Sequence, residues 1–388
     1  MENSNLTGIS FGLDDTVVEQ ADVTRRSQWN EYVGRHPRAS AYHWFEWMEA
    51  IQHAYSHSLY PLIALQKRDG ITKVCGVLPL VLLETPVIGR RFCSLPFCDL
   101  GGPVADNYEV ERQLINAAAE LLASKNAREL ELRSGAQDAL EDETAAYYIA
   151  NADTQQAPKV QMLLKLPATS ELLWDGFKSK LRSQVRKAEK NGLSVTHGQN
   201  PELLEHFYQV LARNMRDLGS PVHSVRLYES LLEKFSEKLE IHVVYKESLP
   251  IAAGLVLRHP QRVSIPWAST VAEFNSLSPN MMLYWSVLKS AADGDFKLFD
   301  FGRSTIGEGT YRFKKQWGAE PYMLQWQSIT DADQSAEVRS HNDRRHRPKA
   351  RESKLRSGLK NTVVACWQKL PLPVASAIGP LLRKHISL

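Results

Sequence analysis

Apolar residues alternate with polar ones, or run unbroken between turn signals, in two stretches of the chain, and the elements they predict recur in one order. Residues 59–133 read as strand (LYPLIALQK), turn, strand (KVCGVLPLVLLE), strand (RRFCSL), a Gly/Pro loop, a helix over 108–124 and a closing strand (RELELR). Residues 239–303 repeat that order with strand (LEIHVVYK), turn, strand (PIAAGLVLR), strand (RVSIPWAST), loop, a helix over 280–292 and a strand (KLFDFGR). Leu283, Val287 and Leu288 supply the apolar stripe of the second helix. A repeated order of this kind predicts two related domains of mixed α/β (α+β) class, each a mixed sheet flanked by helices.

Between the copies, Leu173, Phe177, Leu181 and Val185 recur every four residues, and Asn191-Gly192 closes the run as a left-handed cap would. This predicts one linking helix over 170–191. A second helix follows with Asn200 as its cap and Pro201 in its first turn. The expected organisation is a first domain over 1–160, a second over 161–330 that includes the linking helix, a basic linker over 331–358 and a helical tail over 359–388. The tail is apolar but broken by Lys369, Arg383 and three prolines, so it is expected to dock on the protein, with a membrane interface as the alternative.

Composition narrows the picture. With 388 residues, 43% of them hydrophobic, the chain can fill two cores. A net charge of +3 is far from that of a dedicated nucleic-acid binder, so any anion site must be local. No basic start followed by an apolar run opens the sequence, and no apolar run reaches spanning length, which points to a cytoplasmic protein. Cys75, Cys93, Cys98 and Cys366 lack CxxC spacing and are expected as packed thiols. His53 and His57 share a helix face without a third ligand, so no metal is expected. No Ser-His-Asp order, P-loop or strand-adjacent GxGxxG occurs.

The densest chemistry lies in FDFGRSTIGEGTYRFKKQWG, residues 299–318. A period of two sets Asp300 opposite Phe299 and Phe301 near a strand's end, where it either caps the next turn or deprotonates a reacting amine. Gly302, Gly307 and Gly309 make the following loop able to approach a ligand closely. Phe313 and Trp317 then anchor a helix whose other side carries Tyr311, Lys314 and Lys315, either as a solvated face or as an oxyanion or phosphate site. On the linking helix Lys178, Arg182 and Arg186 form a row that is either solvated or holds phosphates.

These residues resemble the FemAB family, and most closely its branch associated with the exosortase/PEP-CTERM system and exopolysaccharide production. The resemblance spans about residues 44–326 and rests on LPFCDLGGPVADN, KLRSQVRKAEKNGL, NMRDLGSPVHS, NMMLYW and DFGRSTIGEGTYRFKKQWG. It implies two tandem GNAT-like domains. It also implies transfer of an aminoacyl group from charged tRNA to an amine on a peptidoglycan precursor, while other relatives look like acetyltransferases. The family's FKxxFG motif falls on Phe313, Lys314 and Gly318, with Trp317 in place of the second phenylalanine, so Lys314 inherits the oxyanion role. Its GGPV-x-D stretch falls on Gly101, Gly102, Pro103, Val104 and Asp106, implying acceptor contacts at Gly102 and Asp106. Its RxxxRKA pattern falls on Arg182, Arg186, Lys187 and Ala188, the segment that meets the acceptor's phosphates. One departure stands out: STVAEFNSLSPN has no glycine where CoA-dependent GNAT enzymes cradle a pyrophosphate.

The expectation is a cytoplasmic N-acyltransferase, at the inner membrane face, acting on an amine of a cell-envelope or exopolysaccharide precursor that is lipid-linked or free. Asp300 or Glu308 would take the amine's proton, Lys314 hold the oxyanion and Tyr311 protonate the leaving group. Arg182, Arg186, Lys187, Arg303 and Lys315 would meet anions. The donor would be a co-substrate, aminoacyl-tRNA or acyl-CoA, with no tightly bound cofactor. Peripheral membrane contact through the linker and tail is part of this expectation. The alternatives are an acyl-CoA-dependent N-acetyltransferase and a non-catalytic binding module.

Overall fold

The structure, a computed structural model, describes residues 16–68, 70–85, 89–135, 159–330 and 362–387. The basic linker expected over 331–358 lies outside them. The first half runs β1 (Thr16–Gln20), α1 (Arg26–Arg35), α2 (Phe45–Tyr55), β2 (Ser58–Leu59), β3 (Leu62–Arg68), β4 (Ile71–Leu78), β5 (Val81–Thr85), β6 (Gly89–Cys93), β7 (Val104–Ala105), α3 (Tyr108–Ser124) and β8 (Glu129–Ser134). The run 73–84, expected as one strand, is two. It breaks at Pro79, which has no N–H for a ladder, and β4 then pairs with β3 in one sheet while β5 pairs with β6 in another.

β9 (Lys159–Lys165) closes the first half, and the second runs α4 (Ser170–Gly176), α5 (Ser179–Lys190), β10 (Leu193–Gly198), α6 (Pro201–Asp217), α7 (Val225–Phe235), β11 (Leu239–Lys246), β12 (Leu249–His259), β13 (Arg262–Thr270), α8 (Pro279–Asp293), β14 (Leu298–Thr305), α9 (Gly309–Gln316), β15 (Glu320–Met323) and β16 (Gln325–Thr330). The linking helix is also two elements rather than one. Phe177 and Lys178 are extended, which turns the Phe177 ring inward to meet Trp317 edge-on at 5.4 Å. The apolar stripe survives the break, because Leu173, Phe177, Leu181 and Val185 are all buried.

The repeat is visible in the pairing. In the second half β10, β11, β12 and β13 are antiparallel neighbours, and β13 pairs in parallel with β14. In the first half β1, β3 and β4 correspond to the first three, β5 continues β4 in the other sheet, and β6 pairs in parallel with β8. The outer neighbour of β8 and of β14 comes from the other half. β9, which follows β8, pairs antiparallel with β14, and β16, which follows β14 and β15, pairs antiparallel with β8. Residues 325–330 were expected with the second domain, yet they join the sheet of the first. The fold is therefore a tandem of mixed α/β domains that exchange one strand each.

The C-terminal tail docks on the protein through a helix over 362–368 and α10 (Leu372–Arg383). A β-carbon at Gly379 would lie 3.0 Å from the Val222 backbone nitrogen, a crowded contact that glycine avoids. Beyond the helix, the Phe97 N–H donates to the Ser387 carbonyl at 2.6 Å and Arg133 Nη1 donates to the same oxygen at 3.0 Å. Among the described residues no helix is long and apolar enough to cross a membrane.

Candidate functional site

Strands β13 and β14 pair only at Val263–Phe299 and Ser264–Asp300 and then separate. Pro266 suits the freed edge, since it has no N–H to leave unpaired. A cavity of about 290 Å³ opens there, lined by Ile265, Pro266 and Trp267 on one strand and Phe301, Gly302 and Arg303 on the other. The first half closes it with Tyr42, Phe97 and Asp99, α7 with Tyr228, α9 with Lys314 and the tail with Arg383.

Lys314 is 8% exposed. Its Nζ donates to the Gly302 carbonyl at 3.2 Å and the Arg303 carbonyl at 2.8 Å, which leaves one N–H of the ammonium for a ligand. Burial pulls its pKa down to about 8, with Asp99 and Asp300 opposing that shift. Gly302 sits at φ +73°, in the left-handed region, where β14 skips a residue against β9 and presents its carbonyl to the lysine. Asp99 accepts the Arg303 backbone N–H at 3.1 Å through Oδ2, and its Oδ1 lies 3.4 Å from Arg303 Nε. The exchanged strand secures both groups. Trp326 Nε1 donates to the Asp99 carbonyl at 3.1 Å, and the Arg133 and Arg303 guanidinium groups lie 4.8 and 5.1 Å from its ring centre.

Of the residues given a role in binding or chemistry by sequence, Lys314, Arg303 and Gly302 line this cavity and the others do not. Asp300 is 2% exposed and both its oxygens are engaged, by Gln161 Nε2 at 2.6 Å and the Gly302 N–H at 2.8 Å. Burial raises its pKa against the pull of Arg262, and it braces the turn of β14 instead of meeting solvent. Glu308 is the exposed N-terminal cap position of α9. Tyr311 packs into the core with Trp317, and the exposed Lys315 lies 5.7 Å over the Tyr311 ring, so the three neighbours Tyr311, Lys314 and Lys315 are adjacent but only Lys314 reaches the cavity. Tyr311, Lys314 and Trp317 follow a three-residue spacing on the buried face of this eight-residue helix, whereas Lys315 falls outside it.

Arg182, Arg186 and Lys187 ride on α5, whose apolar side packs with α8 in the core away from the cavity. Arg186 lies 5.4 Å over the Trp174 ring. Asp106 is exposed and accepts from Tyr32 Oη at 2.8 Å. Gly102 lines a separate space of about 40 Å³ and crosses β8 so closely that a β-carbon would lie 2.3 Å from Ser134 Oγ.

Sequence reasoning missed Asp99, His223 and Arg383, although FCDLGG and PVHS had drawn notice as motifs. His223 is buried, which holds its imidazole neutral by pushing its pKa well below the usual value, with Arg383 adding to the effect. Arg383 Nε donates to His223 Nε2 at 2.9 Å, so the ring proton sits on Nδ1 and is donated to Tyr55 Oη at 2.8 Å. Elsewhere, His197, Glu240 and His242 are grouped closely enough to hold a metal ion. Arg258 donates to a Glu240 carboxylate oxygen and Ser290 donates to the same oxygen at 3.2 Å, so that carboxylate is already neutralised.

Residues 176–315 match the family model of an acetyltransferase (GNAT) domain. No curated protein matches the chain. Among solved structures the chain is similar to the crystal structure of FemX, at 16% identity over 82% of this chain and 98% of that one, with a TM-score of 0.63. It is similar to L-PGS from Bacillus licheniformis at 12% identity over 95% of this chain and 98% of that one, with a TM-score of 0.51. At these identities the likeness is one of fold. The matched segment includes the separating strands and Lys314, and the described residues adopt a tandem GNAT-like fold similar to that of FemX.

Proposed function

We propose that the protein is an N-acyltransferase that moves an acyl or aminoacyl group onto an amine of a cell-envelope or exopolysaccharide precursor. The observation that carries this reading is the Lys314 ammonium, buried at the separated strands with one N–H unspent. The amine nitrogen attacks the acyl carbonyl, and Lys314 stabilises the oxyanion of the tetrahedral intermediate. The C–O or C–S bond to the donor then breaks, and the amine's surplus proton passes to Asp99. Among the described residues Asp99 is the only carboxylate lining the cavity, so it takes the role first given to Asp300 or Glu308. Tyr311 is packed in the core, and the leaving group takes its proton from solvent.

Aminoacyl-tRNA is the donor that the loop before α8 favours. A 3₁₀ turn there spends the N–H groups of Phe274, Ser278 and Met281 on the carbonyls of Val271, Asn275 and Ser278, which leaves those groups no cradle to offer a CoA pyrophosphate. The exposed Arg186 and Lys187 are then available to a tRNA backbone. The second reading, an acyl-CoA-dependent N-acetyltransferase, is favoured by the family match. The acceptor is a sugar or peptide amine, free or lipid-linked, met at the inner face of the membrane. The outward side chains of the docked tail, with Leu381 63% exposed, supply the peripheral contact.

The test offers radiolabelled acyl-CoA and aminoacyl-tRNA pools with amine-bearing lipid-linked sugars. Lys314→Met should lower turnover by about a hundredfold or more, the usual scale for losing one oxyanion donor. Lys315→Met should be mild. Equal small effects would remove Lys314 from the chemistry, and tight acetyl-CoA binding without tRNA binding would promote the second reading.

A further inference from the structure

The geometry points to a phosphate subsite in the cavity, completed by Arg383 of the C-terminal tail, so that one substrate of the transfer is held by a phosphate or pyrophosphate group. This rests on the reading of the cavity as the transfer site. Three cations line it, Lys314, Arg303 and Arg383, against one carboxylate, Asp99, an excess of two positive charges. His223 adds none, since it faces Arg383 as a neutral acceptor.

Among the described residues Arg383 makes no ion pair, and its guanidinium has spent only the Nε–H, on an imidazole. Its Nη groups form the planar fork that grips phosphate oxygens in pairs. A carboxylate would neutralise half of the excess charge, whereas a phosphate dianion or the pyrophosphate of a diester matches it and free pyrophosphate exceeds it. The tail is seated for this task. Gly379 lets α10 approach Val222, and the Lys384 and Ser387 carbonyls are held by His57 and by the Phe97 N–H and Arg133.

The test is calorimetric titration of the full chain at low salt with inorganic pyrophosphate and, separately, acetate. UDP, coenzyme A and dioctanoyl phosphatidic acid distinguish a nucleotide, a donor and a lipid as the source of the phosphate. Pyrophosphate should bind and acetate should not. Arg383→Gln should weaken pyrophosphate by about tenfold or more, the scale of a lost charged hydrogen bond. Arg383→Lys, which keeps the charge and loses the fork, should fall between.

Hydrogen exchange at the Phe97 amide reports whether the tail stays seated in each variant. If Arg383→Gln unseats it, the seated Arg383→Lys variant decides. Pyrophosphate that fails to bind, binds equally to wild type and to the seated variants, or is matched by acetate would overturn the inference. Because the readout is binding, absence of acyl transfer leaves it standing. An active enzyme indifferent to the Arg383 changes sinks this inference alone.

Discussion

A single ammonium sets the pH behaviour expected of this site. The Lys314 pKa of about 8 in the fold lies below its ordinary value of 10.5, so the charge that stabilises an oxyanion is lost as pH rises through about 8. Turnover should therefore fall on the alkaline side with an apparent pKa near 8, and a profile flat to pH 10 would contradict the role. Stability moves the other way. Between the two pKa values the unfolded chain binds the proton and the folded one does not, so stability rises with pH across that window. Thermal melting at pH 7 and pH 9.5 should show this gain in the wild type and its absence in Lys314→Met. At this scale the sequence revealed what was local. Lys314, Gly302 and Arg303 lie within thirteen positions of one another and were all singled out, whereas Asp99, His223 and Arg383 reach the cavity from distant parts of the chain. Nothing in their neighbours marks that approach.

Elements were legible where pattern and caps agree. The helix Tyr108–Ser124 and the strands Leu239–Lys246 and Arg262–Thr270 have the expected ends, the helix because the Asn107 side chain accepts the Val110 N–H at 3.0 Å. The linking helix was misread because a four-residue period runs unbroken through Phe177 while the backbone there turns extended. Periodicity reports which side chains are buried and is silent on a break that keeps them so. The turn in β14 yields a split prediction. Gly302→Ala and Gly307→Ala both force a β-carbon into the left-handed region, at φ +73° and +83°, and each should cost about 1 kcal/mol in denaturant unfolding. Only Gly302 presents its carbonyl to Lys314, so only its substitution should also lower turnover. Equal activities would show that the carbonyl does not position the lysine.

For the whole molecule, the repeat was readable as an order of elements, and the strand exchange was not. Alternation tells which face of residues 325–330 is buried but not which sheet receives them, so β16 was assigned by position in the chain. The exchange predicts one cooperative thermal transition, with calorimetric and van't Hoff enthalpies equal, because the sheets of β8 and β14 each hold a strand from the other half. Two separated transitions would mean that the exchanged strands hold the halves together only weakly. The same feature bears on birth at the ribosome. Glu129 pairs with Thr330, so the edge of β8 stays bare while the whole second half is still being synthesised. The nascent first half thus carries an open strand edge that invites pairing with other chains, and a translational pause or truncation before residue 325 should yield an aggregating fragment in place of a folded domain.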